Sequence, residues 1–138
     1  MRKYRFLDHT GDEGVIAYGT TPVDLFQHAA EGFYAVLTDS KKVRPVVMEQ
    51  MQFEADGYDN LLVTWLKELL FLFETKLFLG RRIDVENLDC EYLKVSVWGE
   101  TYDEGRHSLR RIIKAVTYHQ LTVEMSRGRW RAQFVLDL

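Results

Sequence analysis

The sequence predicts an α+β fold, with a single domain over residues 1–138 in which two helices pack on a mostly antiparallel β-sheet. Three observations predict this class. The stretch 59–78 carries large apolar residues at helical spacing, and a Thr-Pro pair at 21–22 opens a second stretch of the same kind. Much of the rest of the chain, and above all its last third, alternates apolar and polar residues with the period of a β-strand.

The first helix is predicted from its capped first turn. Thr21 suits the N-cap, Pro22 the first helical position and Asp24 the third. Its apolar stripe ends near residues 38–40. Two short strands are predicted before this helix, on either side of a turn-rich acidic stretch, at 4–7 and 15–18.

The central helix is predicted over residues 59–78. Its apolar side chains follow the i, i+3, i+4, i+7 spacing and are Leu62, Trp65, Leu66, Leu69, Leu70, Phe73 and Leu77. Asp59 is predicted to be the N-cap, because its carboxylate is placed to accept hydrogen bonds from the first free backbone N–H groups. A helix this apolar must be covered on most sides, so we expect a sheet to pack over it.

The remaining strands are predicted at 46–55, 81–88, 92–99, 113–125 and 130–136. In the fourth of these, alternation places His119 on one face with Thr117 and Leu121, so His119 is expected to be partly buried with its hydrogen bonds satisfied. A hairpin turn at 126–129 joins the last two strands.

The composition excludes several classes of protein. The formal net charge is -3, so bulk electrostatics does not favour direct nucleic-acid binding, although a local basic patch is present around Arg110, Arg111 and Lys114. Cys90 is the only cysteine, which excludes an intrachain disulfide and a thiolate metal cluster and fits a cytoplasmic location. We expect neither a signal peptide nor a membrane span, because no apolar run approaches about 18 residues.

Three acidic groups near the two ends of the chain are the candidate binding site. Asp12 lies in the loop after the first strand, Asp137 follows the last strand, and Leu138 contributes the terminal carboxylate. If the first and last strands are neighbours, these groups converge and repel one another unless a cation neutralises them. Oxygen ligands suit a hard ion such as Ca²⁺ or Mg²⁺. The alternative is that all three are ordinary solvated acids.

The sequence shows no constellation of residues that demands catalysis. Nucleophile elbows and phosphate-binding glycine loops are absent. No histidine pair has a usual zinc-ligand spacing. His9 and Thr10 are expected to form hydrogen bonds within their turn. Lys114 interrupts an apolar stretch and is either a solvated strand residue or a charge presented to a partner or a phosphate.

Several segments together resemble the archease family over nearly the full length of the chain. They are DHTGD at 8–12, DLFQHAAEGFYAVLTD at 24–39, NLLVTWLKELLFLFET at 60–75, GETYDEGRH at 99–107, IKAVTYHQLTV at 113–123 and the closing W…FVLDL at 130–138. The KAVTYH block combined with the DHT-x-D opening and the terminal aspartate is the specific part. Gly11 replaces the usual alanine, and Lys67 stands where an asparagine is common.

The resemblance implies an activator of the GTP-dependent tRNA-splicing RNA ligase that is not itself an enzyme. Such a protein promotes guanylylation of the ligase and its multiple turnover, broadens its nucleotide choice, and meets RNA only through the ligase. The resemblance also implies that Asp12, Asp137 and Leu138 bind a divalent ion, Ca²⁺ first, with Mg²⁺ or Mn²⁺ as alternatives. It places Lys114 on the functional surface and makes Asp39 an additional acidic candidate.

Two other functions remain open from the sequence. One is a chaperone-like adaptor module with no role for a metal, which would depend on exposed apolar contacts. The other is a metal-dependent hydrolase, in which His9 would be the base beside the acids.

Overall fold

A computed structural model describes residues 2–9 and 11–138. The elements, in chain order, are β1 (Tyr4–His9), β2 (Asp12–Gly19), α1 (Pro22–Leu37), a short 3₁₀ helix (Ser40–Lys42), β3 (Val47–Glu54), α2 (Gly57–Lys76), β4 (Phe78–Asp89), β5 (Tyr92–Thr101), β6 (Ala115–Ser126) and β7 (Arg129–Asp137). Within the described residues, neither helix is long and apolar enough to cross a bilayer.

The strands form two antiparallel sheets, and the predicted α+β class is confirmed. One sheet has the order β1-β2-β7-β6 and the other the order β3-β5-β4. Both helices contact both sheets, and together they enclose one buried apolar cluster. The sequence pattern predicted one sheet, because alternation identifies which face of a strand is buried but not which strand lies beside it.

The first helix agrees with its prediction. It begins at Pro22, and the side chain of Thr21 accepts a hydrogen bond from the backbone N–H of Asp24 at 3.2 Å. The last turn ends at Leu37, where the N–H of Thr38 bonds to the carbonyl of Tyr34 at 2.9 Å.

The central helix is shifted two residues toward the N-terminus relative to its prediction, and Asp59 is not its N-cap. Asp56 holds the N-cap position without a side-chain hydrogen bond, and Asp59 lies in the first turn. The helix ends at Lys76 because Leu77 adopts a left-handed conformation, with φ 55°, and Phe78 then starts β4. Leu77 is consequently 44% exposed and does not continue the buried stripe.

The burial predicted for His119 is wrong. The β6–β7 register shifts between Thr117 and Thr122, and Gln120 has φ 55°, so the alternation of β6 is interrupted by a bulge. His119 is exposed. Beside it, the ring of Tyr118 lies under the ammonium group of Lys67, 4.8 Å from the ring centroid. Lys67, the departure from the common family pattern, thus contacts the bulge.

Candidate functional site

The two acidic residues from opposite ends of the chain lie directly opposite each other. Asp12 opens β2 and pairs in register with Asp137, the last residue of β7. The N–H of Leu138 donates to the carbonyl of Gly11 at 3.2 Å. In an antiparallel ladder hydrogen-bonded and non-hydrogen-bonded pairs alternate, so Asp12 and Asp137 form a non-hydrogen-bonded pair, with Cα atoms about 4.5 Å apart. Their side chains therefore leave the sheet on the same face as close neighbours.

The carboxylate of Asp12 has a buried oxygen that fits a cation. Its Oδ1 atom is shielded from solvent, and no described residue donates a hydrogen bond to it. Asp137 opposite is exposed and brings a second negative charge, and like charges directly opposed across a ladder are destabilising. An oxygen-only set of this kind, extended by the carboxylate of Leu138, suits a hard divalent ion. The residues present therefore fit the predicted ion.

Among the side chains that the structure describes, no third acidic or histidine side chain joins the pair. The structure describes the side chains of residues 2–7 and 11–138, and among these no group of three His, Cys, Asp or Glu side chains is arranged to hold a metal. Asp39 instead faces Arg110, with 3.9 Å between Oδ1 and a guanidinium nitrogen. The backbone of His9 pairs in register with Asp12, but its side chain lies outside the described residues, as does Thr10. The role of Asp12, Asp137 and Leu138 as ligands stays a prediction.

Lys114 reaches the acidic pair through its backbone. Its N–H donates to the carbonyl of Asp137 at 2.7 Å, and its side chain is exposed. Just before it in the chain, Arg111 forms an ion pair at 3.0 Å with Glu13, the buried neighbour of Asp12. The structure thus places an exposed ammonium group and two opposed carboxylates at one end of the four-stranded sheet. We call this group of residues (Asp12, Lys114, Asp137 and Leu138) the acidic tip.

Residues 102–114, the connecting segment, cross from the three-stranded sheet to the acidic tip. Two backbone bonds of 2.8 Å hold the segment, one from the Tyr102 N–H to the Leu77 carbonyl and one from the Arg110 N–H to the Leu37 carbonyl. The hydroxyl of Thr38 also donates to the carbonyl of Ser108 at 2.6 Å. The position of Lys114 therefore depends on contacts made far from the tip.

A buried Glu–His pair anchors the start of the connecting segment, and the sequence pattern did not reveal it. The side chain of His107 is fully buried; its Nδ1 accepts from the N–H of Asp103 at 2.9 Å, and its Nε2 lies 2.9 Å from Glu100. These partners place the ring hydrogen on Nε2. Arg44 donates its backbone N–H to Glu100 at 2.7 Å, and the Arg106 guanidinium contacts the other carboxylate oxygen. A strand-end glutamate seven residues from a histidine carries no sequence motif.

The hydrogen bonds of this anchor make the free energy of unfolding fall at acid pH. Burial alone would raise the pKa of Glu100, but the bonds from Arg44, His107 and Arg106 outweigh it and lower the pKa to about 2. Because the folded-state pKa lies below the unfolded value, the stabilisation is complete above pH 4.5 and is lost as the pH falls toward 2. We expect Glu100→Gln to reduce the free energy of unfolding at pH 7 by roughly 1–2 kcal/mol.

Thermal unfolding between pH 7 and pH 2 tests this expectation. The gap in melting temperature between wild type and Glu100→Gln should narrow below pH 4.5, the ordinary pKa of the carboxyl group. Glu91→Gln, at an exposed position in the turn before β5, is the control and should follow wild type throughout. A gap that stays constant down to pH 2 would mean that Glu100 is not the group that titrates.

The chain matches known proteins over nearly its whole length. The model of the Archease protein family (MTH1598/TM1083) matches residues 4–138. The chain belongs to the archease family. It is 35% identical to the protein archease of Sulfurisphaera tokodaii, with both chains covered completely. It is 37% identical to the protein archease of Methanosarcina mazei, over 99% of this chain and 97% of that one.

Solved structures agree with the archease fold. The solution structure of Methanobacterium thermoautotrophicum protein 1598 has a TM-score of 0.86 and 31% identity, with both chains covered completely. A crystal structure from Thermotoga maritima, described as an archease and possible chaperone, has a TM-score of 0.64 over 100% of this chain and 98% of that one. Its identity is 17%, so it supports the fold alone. The family resemblance drawn from the sequence motifs is confirmed.

Proposed function

We propose that this protein is a non-catalytic cofactor of the GTP-dependent tRNA-splicing RNA ligase in the cytoplasm. It promotes guanylylation of the ligase and multiple turnover, and it broadens the choice of nucleoside triphosphate. Membership of the archease family supports this proposal. The observation that carries it is the direct pairing of Asp12 with Asp137, since opposed carboxylates at a sheet end cost stability and are explained by a cation-dependent task.

Asp12, Asp137 and the carboxylate of Leu138 are the groups that would hold a divalent ion, Ca²⁺ first and Mg²⁺ or Mn²⁺ as alternatives. When bound, the ion supplies positive charge that a nucleotide phosphate can contact. The chain itself contributes the rigidity of the site: β2 and β7 are paired in register over eight residue pairs without a shift, from Asp12 to Gly19. The two acids are therefore held at the tip before the ligase docks.

A turnover experiment tests the proposal. Purified ligase is given a large excess of RNA ends and GTP, with and without this protein at catalytic amounts. We expect a single round of ligation without the protein and many rounds with it, together with faster appearance of guanylylated ligase. If both reactions stop after one round per ligase, or the protein joins RNA ends without ligase, the proposal is wrong.

We expect Lys114 to contribute to activation of the ligase and not to the stability of the fold. Its side chain is exposed, so Lys114→Met should leave the melting temperature within about 1–2 °C of wild type, as usual for surface substitutions. Loss of a charge that contacts a partner phosphate or carboxylate costs roughly 1.5–3 kcal/mol, which is about a tenfold or greater loss of activation. Lys41→Met, on the exposed 3₁₀ helix, is the control. Equal activation by both variants would remove Lys114 from the working surface.

The second candidate function is a chaperone-like adaptor, the role suggested by the description of the Thermotoga maritima structure. An exposed apolar run favours it: Val46, Val47 and Met48 are 63%, 52% and 44% exposed at the start of β3, an edge strand of its sheet. In this case Val47→Gln should abolish the partner effect and a chelator should change nothing. The ligase-activator proposal predicts the reverse for both treatments.

A further inference from the structure

Four arginines gather at the end of the four-stranded sheet that lies away from the acidic tip. Arg5, Arg127, Arg129 and Arg131, the arginine cluster, line a shallow recess of about 320 Å³ together with Tyr18 and Glu124. Arg5 comes from β1, Arg129 and Arg131 from β7, and Arg127 from the β6–β7 turn. The cluster thus joins Arg5 to the stretch 127–131, in which every second residue is an arginine.

Tyr18 organises the cluster from the centre of the sheet. Its hydroxyl accepts from the Arg5 Nε at 3.0 Å, and the Arg129 guanidinium lies over its ring, 4.1 Å from the centroid. Burial would raise the pKa of Tyr18, but the hydrogen bond from Arg5 and the charges of Arg131 and Arg129 lower it below its ordinary value. The recess is therefore a place of positive potential.

The positive charge of the cluster is only partly offset by the residues that the structure describes. Among the described residues, none of the four arginines forms an ion pair, whereas other basic side chains of the same chain do. Glu124, opposite Arg131 across β6 and β7, is the one carboxylate among the described residues that line the recess. This excess occurs in a chain whose formal net charge is -3. Crowding of like charges has a cost that a bound anion would remove.

We propose that the arginine cluster binds the phosphodiester backbone of single-stranded nucleic acid without regard to base sequence. Guanidinium groups present paired donors that match phosphate oxygens. The cluster spans about 10 Å across β1, β2 and β7, and Arg129 and Arg131 lie about 7 Å apart along β7, so it addresses consecutive phosphates and not one ion. A recess this small admits one flexible strand and not the convex surface of a duplex.

The residues that line the recess do not suit two other anionic ligands, a mononucleotide and an acidic protein segment. A mononucleotide would need an open aromatic face or a polar base pocket, but the residue Tyr18 is only 5% exposed and its ring is covered by Arg129. An acidic protein segment would need an apolar anchor, and no large exposed apolar side chain lines this recess among the described residues. Contacts limited to the backbone phosphates explain a lining made of guanidinium groups.

The cluster and the acidic tip share one face of the sheet. Asp12 and Tyr18 are both even-numbered residues of β2, whose register with β7 is unbroken, so their side chains leave on the same side. Six residues of strand separate them by about 20 Å. In the absence of a bound cation, a phosphate backbone is attracted at the arginine end of this face and repelled at the acidic tip. The inference concerns direct binding by this chain, and it holds or fails without the ligase. It departs from the expectation, implied by the family resemblance, that the protein meets RNA only through the ligase.

Fluorescence anisotropy with a labelled single-stranded oligouridine RNA tests the proposal. Arg127→Asn, which retains a residue that tolerates the left-handed φ of 54°, is combined with Arg131→Gln. We expect about tenfold weaker binding at low salt. The slope of log affinity against log salt should fall by about 0.7 for each lost phosphate contact. The matched control, Lys41→Gln combined with Lys42→Gln, removes the same charge from the exposed 3₁₀ helix and should bind within about twofold of wild type.

Titration of the wild-type protein supplies a measurement that needs no variant. Addition of unlabelled RNA to isotopically labelled protein should shift the amide resonances of Tyr18, Ser126 and Arg129 and leave those around Asp12 unchanged. Equal weakening by both double variants would overturn the proposal, as would the absence of RNA binding by wild type. Displacement of RNA by a glutamate oligopeptide as effectively as by unlabelled RNA would assign the cluster to an acidic protein instead.

Discussion

Replacement of Asp12 or Asp137 by asparagine is expected to reduce multiple-turnover ligation to the level seen without this protein. Asparagine keeps the shape of the side chain but removes one of two charges that oppose each other across β2 and β7. A hard divalent ion then loses a charged ligand. Relief of the repulsion should leave the melting temperature without added metal unchanged or slightly higher.

Metal-dependent stabilisation provides a second measurement for the same variants. Calcium at about 100 times its dissociation constant should stabilise wild type by about 2.7 kcal/mol, and neither variant should respond at that concentration. Asp84→Asn is the control, because Asp84 is an exposed strand residue of the other sheet that pairs with Arg82. Wild-type turnover by Asp12→Asn would refute the mechanism. A calcium response retained by both variants would remove these residues from the ion site.

Trp65→Ala is expected to have the largest effect on stability. Trp65 is completely buried in α2, its indole N–H donates to the carbonyl of Phe26 in α1 at 3.0 Å, and its ring stacks on Phe53 of β3. Removal of a buried tryptophan creates a cavity that costs about 3–5 kcal/mol. For a chain of this size the melting temperature should fall by roughly 10–20 °C.

Trp98→Ala is the matched control for this prediction. Trp98 lies half-buried on β5, with the Arg82 guanidinium 4.8 Å from its ring centroid, and it spans no interface between helices. Its loss should cost only about 1 kcal/mol. Thermal and urea unfolding measure both variants. Similar destabilisation by the two substitutions would show that the contact between α1 and α2 is not a central part of the core.

The helices were predictable because their signals are local. Thr21 and Pro22 set the start of α1 within a few bonds of the chain, and the apolar spacing of α2 identifies its buried side. The end of α2 was placed too late because a left-handed Leu77 carries no such signal: the residue type favours a continued helix. His119 was misplaced for a related reason, since a bulge changes the face of each residue without changing the alternation of the sequence.

The acidic tip was predictable in its members but not in its geometry. Asp12 and Asp137 were singled out as acids near the two ends, and their direct opposition depends on β2 and β7 being neighbours. The anchor of Glu100 and His107 was missed because its residues have no spacing of their own. The arginine cluster was missed because the stretch 127–131 predicts only a hairpin turn and a strand, and because Arg5 joins its alternating arginines from β1.

Local backbone preference and apolar periodicity, read along the sequence, determined the α+β class, the two helices and the family of this protein. Only the tertiary structure decided which strands pair, which side of β6 faces solvent, and that charges 125 positions apart in the chain oppose each other at one sheet end. The physical reason is that strand pairing is chosen by burial of the whole core and by backbone hydrogen bonds between distant segments. Neither the burial of the core nor these hydrogen bonds can be predicted from the few residues on either side of a given position.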